Sequence, residues 1–286
     1  MEMVILAAFC AMLLWGAADF LIQRLCRKIG NLETLLLIDF SAAILLLPIV
    51  WNDFGAINQS NLPLLIALGA IGWFSGVVSF EALNKGKLSV VDAILVLELP
   101  VTIILGIYFF QDAISSLQWA LIAAVLIGTI LVSLATLSAK KILANLEKGA
   151  AIALAAAFIF GVMNFTTAAV ARDVTPILAI WFPWTISMFV TAAIMAKRKS
   201  LFGTVRKVAS APWLSLFTAL CATFGWAAYA IAVEGGELSI ITAITESYVV
   251  IAVLMGVLVN REKLAPHQMV AVIGVIAASI WLGMSA

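Results

Sequence analysis

Charge is scarce in this chain: Asp, Glu, Lys and Arg make up 11% of its 286 residues, where a soluble domain carries roughly 25%. Hydrophobic residues reach 65%, against roughly 45–50% in globular proteins. A water-soluble fold of that composition could not cover its own core with polar surface, so the chain reads as an integral membrane protein. Its 16 Lys and Arg against 15 Asp and Glu form no basic domain. Nucleic-acid binding, which needs a clustered phosphate footprint, is excluded.

Other absences narrow the chemistry. Three cysteines, Cys10, Cys26 and Cys221, show no C-x-x-C spacing, so neither a disulfide framework nor a zinc site is expected. The one histidine is His267, outside any H-E-x-x-H pattern. There is no G-x-S-x-G elbow and no P-loop, so ATP hydrolysis within the chain is not expected. No cofactor is implied.

What is present is long apolar runs. A helix needs about 20 such residues to cross a bilayer, and ten stretches qualify, near 3–22, 33–51, 63–83, 88–110, 116–137, 149–171, 176–196, 211–233, 238–260 and 265–285. Asn84-Lys85-Gly86-Lys87 and Glu234-Gly235-Gly236-Glu237 are polar turns between them. Pro176, Pro212 and Pro266 suit first helical turns, where a missing N–H costs little. The first run is not expected to be a cleaved signal, because bases follow it (Arg24, Arg27, Lys28) rather than precede it.

The joints set an orientation. Fifteen of the 16 bases lie in the joints after the first, third, fifth, seventh and ninth spans, and Arg172 alone lies elsewhere. Cytoplasmic joints retain Lys and Arg, so both termini are expected outside the cytoplasm.

The chain also repeats. At an offset of 150, Gly86-x-Leu88-Ser89 meets Gly236-x-Leu238-Ser239, and Gly106 and Gln118 meet Gly256 and Gln268. At an offset of 145, Trp15-Gly16 and Phe20 meet Phe160-Gly161 and Phe165. The expected units are residues 1–143 and 144–286, five spans each. An odd number turns the second copy over, and the exchange of basic joints between copies agrees. The fold class is therefore all-α integral membrane, with ten transmembrane helices in two inverted-topology five-helix repeats, typical of secondary transporters.

Four segments make the likeness more specific: Leu14-Trp15-Gly16-Ala17-Ala18-Asp19-Phe20, Leu97-Glu98-Leu99-Pro100, Thr245-Glu246-Ser247 and Asn260-Arg261-Glu262-Lys263-Leu264. In their order and spacing the chain resembles a ten-helix, EamA-type member of the drug/metabolite transporter superfamily. Departures are an extra residue between Glu98 and Pro100, Ser247 for a second proline and Arg261 for a glycine. The resemblance implies transport of amino-acid-like metabolites or cationic drugs. It also implies that the helices carrying Trp15, Trp73, Trp226 and Tyr229 line a cavity.

Five acids fall within spans: Asp19, Asp39, Asp92, Glu98 and Glu246. A charge at mid-bilayer costs roughly 2.5–3.5 kcal/mol on insertion scales, so such residues face water, hold protons or pair. Glu98 and Glu246 sit near the middle of the fourth and ninth spans, with Thr102, Thr242, Thr245 and Tyr248 nearby and Pro100 as a helix break. They are candidates to bind a proton, another cation or a substrate amine; the alternative is a hydrogen-bonded structural pair. Asp19, Asp39 and Asp92 lie closer to the basic ends, either as gate residues or in interfacial pairs with bases such as Arg24 and Lys87. Asn164 aligns with Asp19 and is expected at the opposite gate.

Trp51 and Trp119, near span ends, suit the interfacial aromatic belt, and Gly72-x-x-x-Gly76 suits close helix packing. The functional expectation is a secondary carrier of small organic solutes, working by alternating access around a carboxylate-bearing cavity, as a monomer or homodimer. An intramembrane enzyme using His267 and a channel-like facilitator are the rival classes.

Overall fold

A computed structural model describes residues 2–86, 88–134, 148–261 and 263–286. Among these there are thirteen α-helices and no strand. They are α1 (Glu2–Ile29), α2 (Asn31–Val50), α3 (Leu62–Lys85), α4 (Leu88–Leu95), α5 (Glu98–Leu105), α6 (Ser116–Ser133), α7 (Lys148–Asp173), α8 (Pro176–Lys197), α9 (Leu201–Ala209), α10 (Pro212–Gly235), α11 (Leu238–Thr245), α12 (Tyr248–Asn260) and α13 (Pro266–Met284). Lys87, Glu262, the joint holding Lys140 and Lys141, and the expected boundary at 143/144 lie outside the described residues.

Among the described residues ten helical segments are long and apolar enough to cross a bilayer; they coincide with the ten expected spans to within four residues, except that the first runs seven residues further, to Ile29. The chain is a multi-pass integral membrane protein. Helices suit that setting because each satisfies its own backbone hydrogen bonds. Pro176, Pro212 and Pro266 open α8, α10 and α13. Gly30 alone separates α1 from α2, at a φ of 112° that glycine adopts without a Cβ penalty.

The fourth and ninth spans are each broken. Residues 96–97 interrupt α4 and α5, and residues 246–247 interrupt α11 and α12, 150 positions apart. At both places the turn tightens by one residue: Leu97 N–H donates to Ile94 O, and Ser247 N–H to Ile244 O. Pro100 is therefore not the break. It is the third residue of α5, and the carbonyl its missing N–H would have met, that of Val96, accepts from Leu99 instead. The ninth span bends at the same register with serine in the proline's neighbourhood, so packing rather than proline sets the bend.

The most extensive helix contacts are α1 on α10, α3 on α7, α6 on α13 and α2 on α8, all of them between the first and second five-span copies. The copies interlock rather than sit side by side. Gly16 shows why. A Cβ there would lie 2.4 Å from Ile251 Cβ and 2.5 Å from the Tyr248 carbonyl oxygen. A Cβ on Gly161 would lie 2.5 Å from Val101 Cβ and 2.9 Å from the Glu98 carbonyl oxygen. These are one contact made twice: the first helix of each copy approaches the broken helix of the other, and only glycine admits it.

The remaining joints obey the same correspondence. Gln118 Nε2 donates to Ser285 O at 2.9 Å while Gln268 Nε2 donates to Val132 O at 2.7 Å, which fixes α6 and α13 antiparallel. Arg27 Nη2 donates to Gly86 O at 2.7 Å, and Arg172 Nη2 to Gly236 O at 2.7 Å. Arg172, the one base off the charge pattern, holds the C-terminal carbonyls of α10 and lies 3.9 Å over the Phe110 ring.

Candidate functional site

A cavity of about 110 Å³ lies between the two copies. Its acidic residues are Asp19 on α1, Asp39 on α2 and Glu98 at the start of α5, all in the first copy. The second copy contributes Phe160, Trp184, Trp226 and Tyr248 and no charged residue. Trp15 completes the aromatic wall, 4.7 Å from Trp226 between ring centroids; Trp184 stands 6.0 Å from Trp226. No Lys, Arg or His lines the cavity among the described residues.

Each acid meets a polar group of the other copy. Tyr248 hydroxyl faces the Asp19 carboxylate. Ser187 Oγ donates to Asp39 Oδ2 at 2.5 Å. Asn164 Nδ2 donates to Glu98 Oε1 at 3.3 Å, and Thr102 Oγ1 donates to the Glu98 carbonyl at 3.0 Å. Two acids lie behind this wall. Glu246, fully buried, lies beside Glu98, and no donor reaches either of its oxygens among the described residues. Asp92 is likewise buried with both oxygens unpartnered among the described residues.

Two donor or acceptor groups remain open at the centre: Trp15 Nε1 and Asn164 Oδ1 are buried without a partner among the described residues. Buried polar groups are nearly always satisfied, which marks these as groups a water or solute can engage. No cluster of three His, Cys, Asp or Glu suited to a metal ion occurs among the described residues.

A family model described as the EamA-like transporter family matches residues 2–134 and, a second time, residues 147–284. The chain belongs to that family. A solved structure titled only as the crystal structure of a protein is similar to this EamA-like chain over 99% of its length and 97% of the other's, with a TM-score of 0.75 and 15% identity; that likeness shows the fold alone. No curated protein matches it.

Within this EamA-like architecture the expected residues divide. Glu98, Trp15, Trp226 and Tyr248 line the cavity. Glu246 and Tyr229 lie behind it, Tyr229 sharing a hydrogen bond of 3.2 Å with Thr242. Thr245 is spent on the Thr242 carbonyl at 3.0 Å. Trp73 is not in the central wall; its Nε1 donates to Thr191 Oγ1 at 3.1 Å, beside a crevice at the ends of α2 and α3.

The gate residues are placed differently from the expectation. Asp19 and Asp39 join Glu98 in one cavity, and Asn164 meets Glu98 itself rather than an opposite gate. The reason is helix length: α1 continues to Ile29, so Asp19 lies ten residues, or about 15 Å, inside that end. Asp92 sits in α4 and does not line the cavity, and its expected partner Lys87 is outside the described residues. Phe160 and Trp184 were not singled out from the sequence as site residues. The 145 offset carries the signal, since they are the counterparts of Trp15 and Asp39. Asp112 was also missed; its Oδ2 accepts from Ser239 N–H at 2.8 Å and Oγ at 2.6 Å, capping α11.

Proposed function

We propose that this EamA-like protein is a secondary transporter of small organic solutes that carry a positive charge and an apolar or aromatic body, moving them by alternating access of the two copies around the central cavity. The observation that carries this reading is the division of the wall: three carboxyls from one copy face four aromatic rings from the other, with no base among them. Carboxylates attract a cation, and ring faces attract it further, by about 0.5–2 kcal/mol depending on desolvation. An anionic solute would meet only like charge.

The second copy is inverted relative to the first, with both termini outside the cytoplasm, in keeping with the basic joints. On that orientation the cavity reaches toward the cytoplasmic half, where Ile22, Leu35 and Leu83 line it. The other half is filled by the apolar cluster around Ala8, Ala11 and Tyr229. Coupling comes from a proton exchanged at the Glu98–Glu246 pair, which the entering cation displaces.

A thermal-shift panel of arylalkylamines, amino acids and organic acids against the full chain in detergent tests the substrate class. A ligand that binds only the native state raises its stability with log concentration once saturating. Amines are expected to raise the unfolding midpoint and organic acids to leave it unmoved; stabilisation by the acids alone would reject the reading. Uptake of the amine found, in proteoliposomes carrying Glu98→Gln or Glu246→Gln across a pH step, tests coupling. Unchanged pH-driven accumulation in both variants removes the carboxyl pair from the mechanism.

A further inference from the structure

Among the described residues the joint between α8 and α10 is unlike any other. It carries Lys197, Arg198, Lys199, Arg206 and Lys207, all exposed, and it contains α9, nine residues long. The corresponding joint of the first copy, residues 51–61, holds no base. Because membrane-length helices flank α9 on both sides, it lies at the bilayer surface.

One face of α9 packs down: Thr204 is buried, with Leu201 and Val208 half-buried beside it. The adjoining face leaves Phe202 at 92% exposure and Val205 at 75%. At about 100° per residue, Phe202, Val205 and Ala209 fall within about 60° of one another, and Arg206 about 40° from Phe202. Bare apolar side chains flanked by bases are the mark of a helix lying in the interface, rings and aliphatics among acyl chains and bases among headgroups.

Lys207 is already engaged. Its ammonium lies 2.5 Å from Glu33 Oε1 and donates to the Ile29 carbonyl at 3.0 Å. It thereby ties this joint of the second copy to the α1–α2 turn of the first. Glu33 is held in place for this by folding over Gly30, where a Cβ would lie 2.3 Å from its Oε2.

We propose that α9 and the turn before it bind anionic phospholipid headgroups through Arg198, Lys199 and Arg206, with the acyl chains against Phe202 and Val205, and that the lipid phosphate competes with Glu33 for Lys207. Lipid occupancy then loosens a tie between the two copies. The inference stands on this surface alone and does not use the transport reading.

The test is thermal unfolding of the full chain in micelles doped with phosphatidylglycerol or phosphatidylcholine, or given inorganic phosphate without lipid. Phosphatidylglycerol should raise the midpoint above phosphatidylcholine, and inorganic phosphate should do nothing. Each base near an anionic surface contributes about fivefold in partitioning. The variant Arg198→Gln/Lys199→Gln/Arg206→Gln should therefore bind phosphatidylglycerol on the order of a hundredfold more weakly, while melting as the wild type does in phosphatidylcholine. Phe202→Ser/Val205→Ser should weaken both lipids, and Glu33→Gln should tighten phosphatidylglycerol binding severalfold. An equal phosphatidylglycerol shift in the triple variant, or no discrimination between lipids by the wild type, overturns the proposal. Stabilisation by inorganic phosphate equal to that by lipid replaces the lipid with a free anion. Unchanged lipid affinity in Glu33→Gln removes the competition for Lys207.

Discussion

Glu98 and Tyr248 are the same position of the two copies, 150 residues apart, and each makes the same contact with the other copy's first helix. Glu98 accepts from Asn164; Tyr248 faces Asp19; Asn164 and Asp19 are themselves counterparts at 145. The repeat has kept the juxtaposition and exchanged which partner carries the carboxyl. The two junctions thus correspond in position and differ in charge.

Asn164→Leu removes the donor to Glu98 and leaves that oxygen unpaired. Loss of one partner of a buried hydrogen bond costs about 1–3 kcal/mol, so the unfolding midpoint in detergent should fall. The equivalent Tyr248→Phe should cost about as much. A midpoint unchanged in Asn164→Leu would mean that the contact does not form.

Gly16→Ala and Gly161→Ala should each destabilise by about 1–3 kcal/mol, because the new methyl overlaps a neighbouring backbone and side chain in a packed interface. The correspondence predicts similar losses for the pair, read by thermal unfolding in the same detergent. A large effect at one and none at the other would break the equivalence.

Trp226→Ala and Trp184→Ala should raise the KM for an amine substrate by about three- to thirtyfold, as expected from losing a cation–ring contact. Trp73→Phe, outside the central wall, should leave KM unchanged. A raised KM in Trp73→Phe with none in the other two would move the binding site to the crevice beside α2 and α3.

Orientation is checked by single cysteines in a Cys-free background. Ile57→Cys should react with an impermeant maleimide from outside intact cells, and Lys199→Cys only after permeabilisation. Labelling of both from one side would contradict the alternation of spans between them.

Arg172→Ala should lower the unfolding midpoint, since it leaves the Val233 and Gly236 carbonyls without their donor, and should leave the maleimide pattern as it is. An unchanged midpoint would mean that these two contacts do not form.

Much of this was legible from composition and spacing. An 18-to-25-residue apolar run is a span whatever its neighbours, because the bilayer demands that length and that backbone satisfaction of each helix separately. The ten spans and the two copies are local or near-local properties, so the sequence alone determined them. It also marked Glu98, Trp15, Trp226 and Tyr248. What it left open was direction around each helix. Asp19 and Asn164 looked like residues of opposite ends, and Trp73 looked as cavity-facing as Trp226. Only the interlocking of α1 with α10 and α3 with α7 decided which acids converge, which one is sealed behind another, and which tryptophan turns away. Side-chain depth and facing follow from where two glycines let helices of different copies touch, Gly16 against Tyr248 and Ile251 and Gly161 against Glu98 and Val101, a relation that no short window along the chain contains.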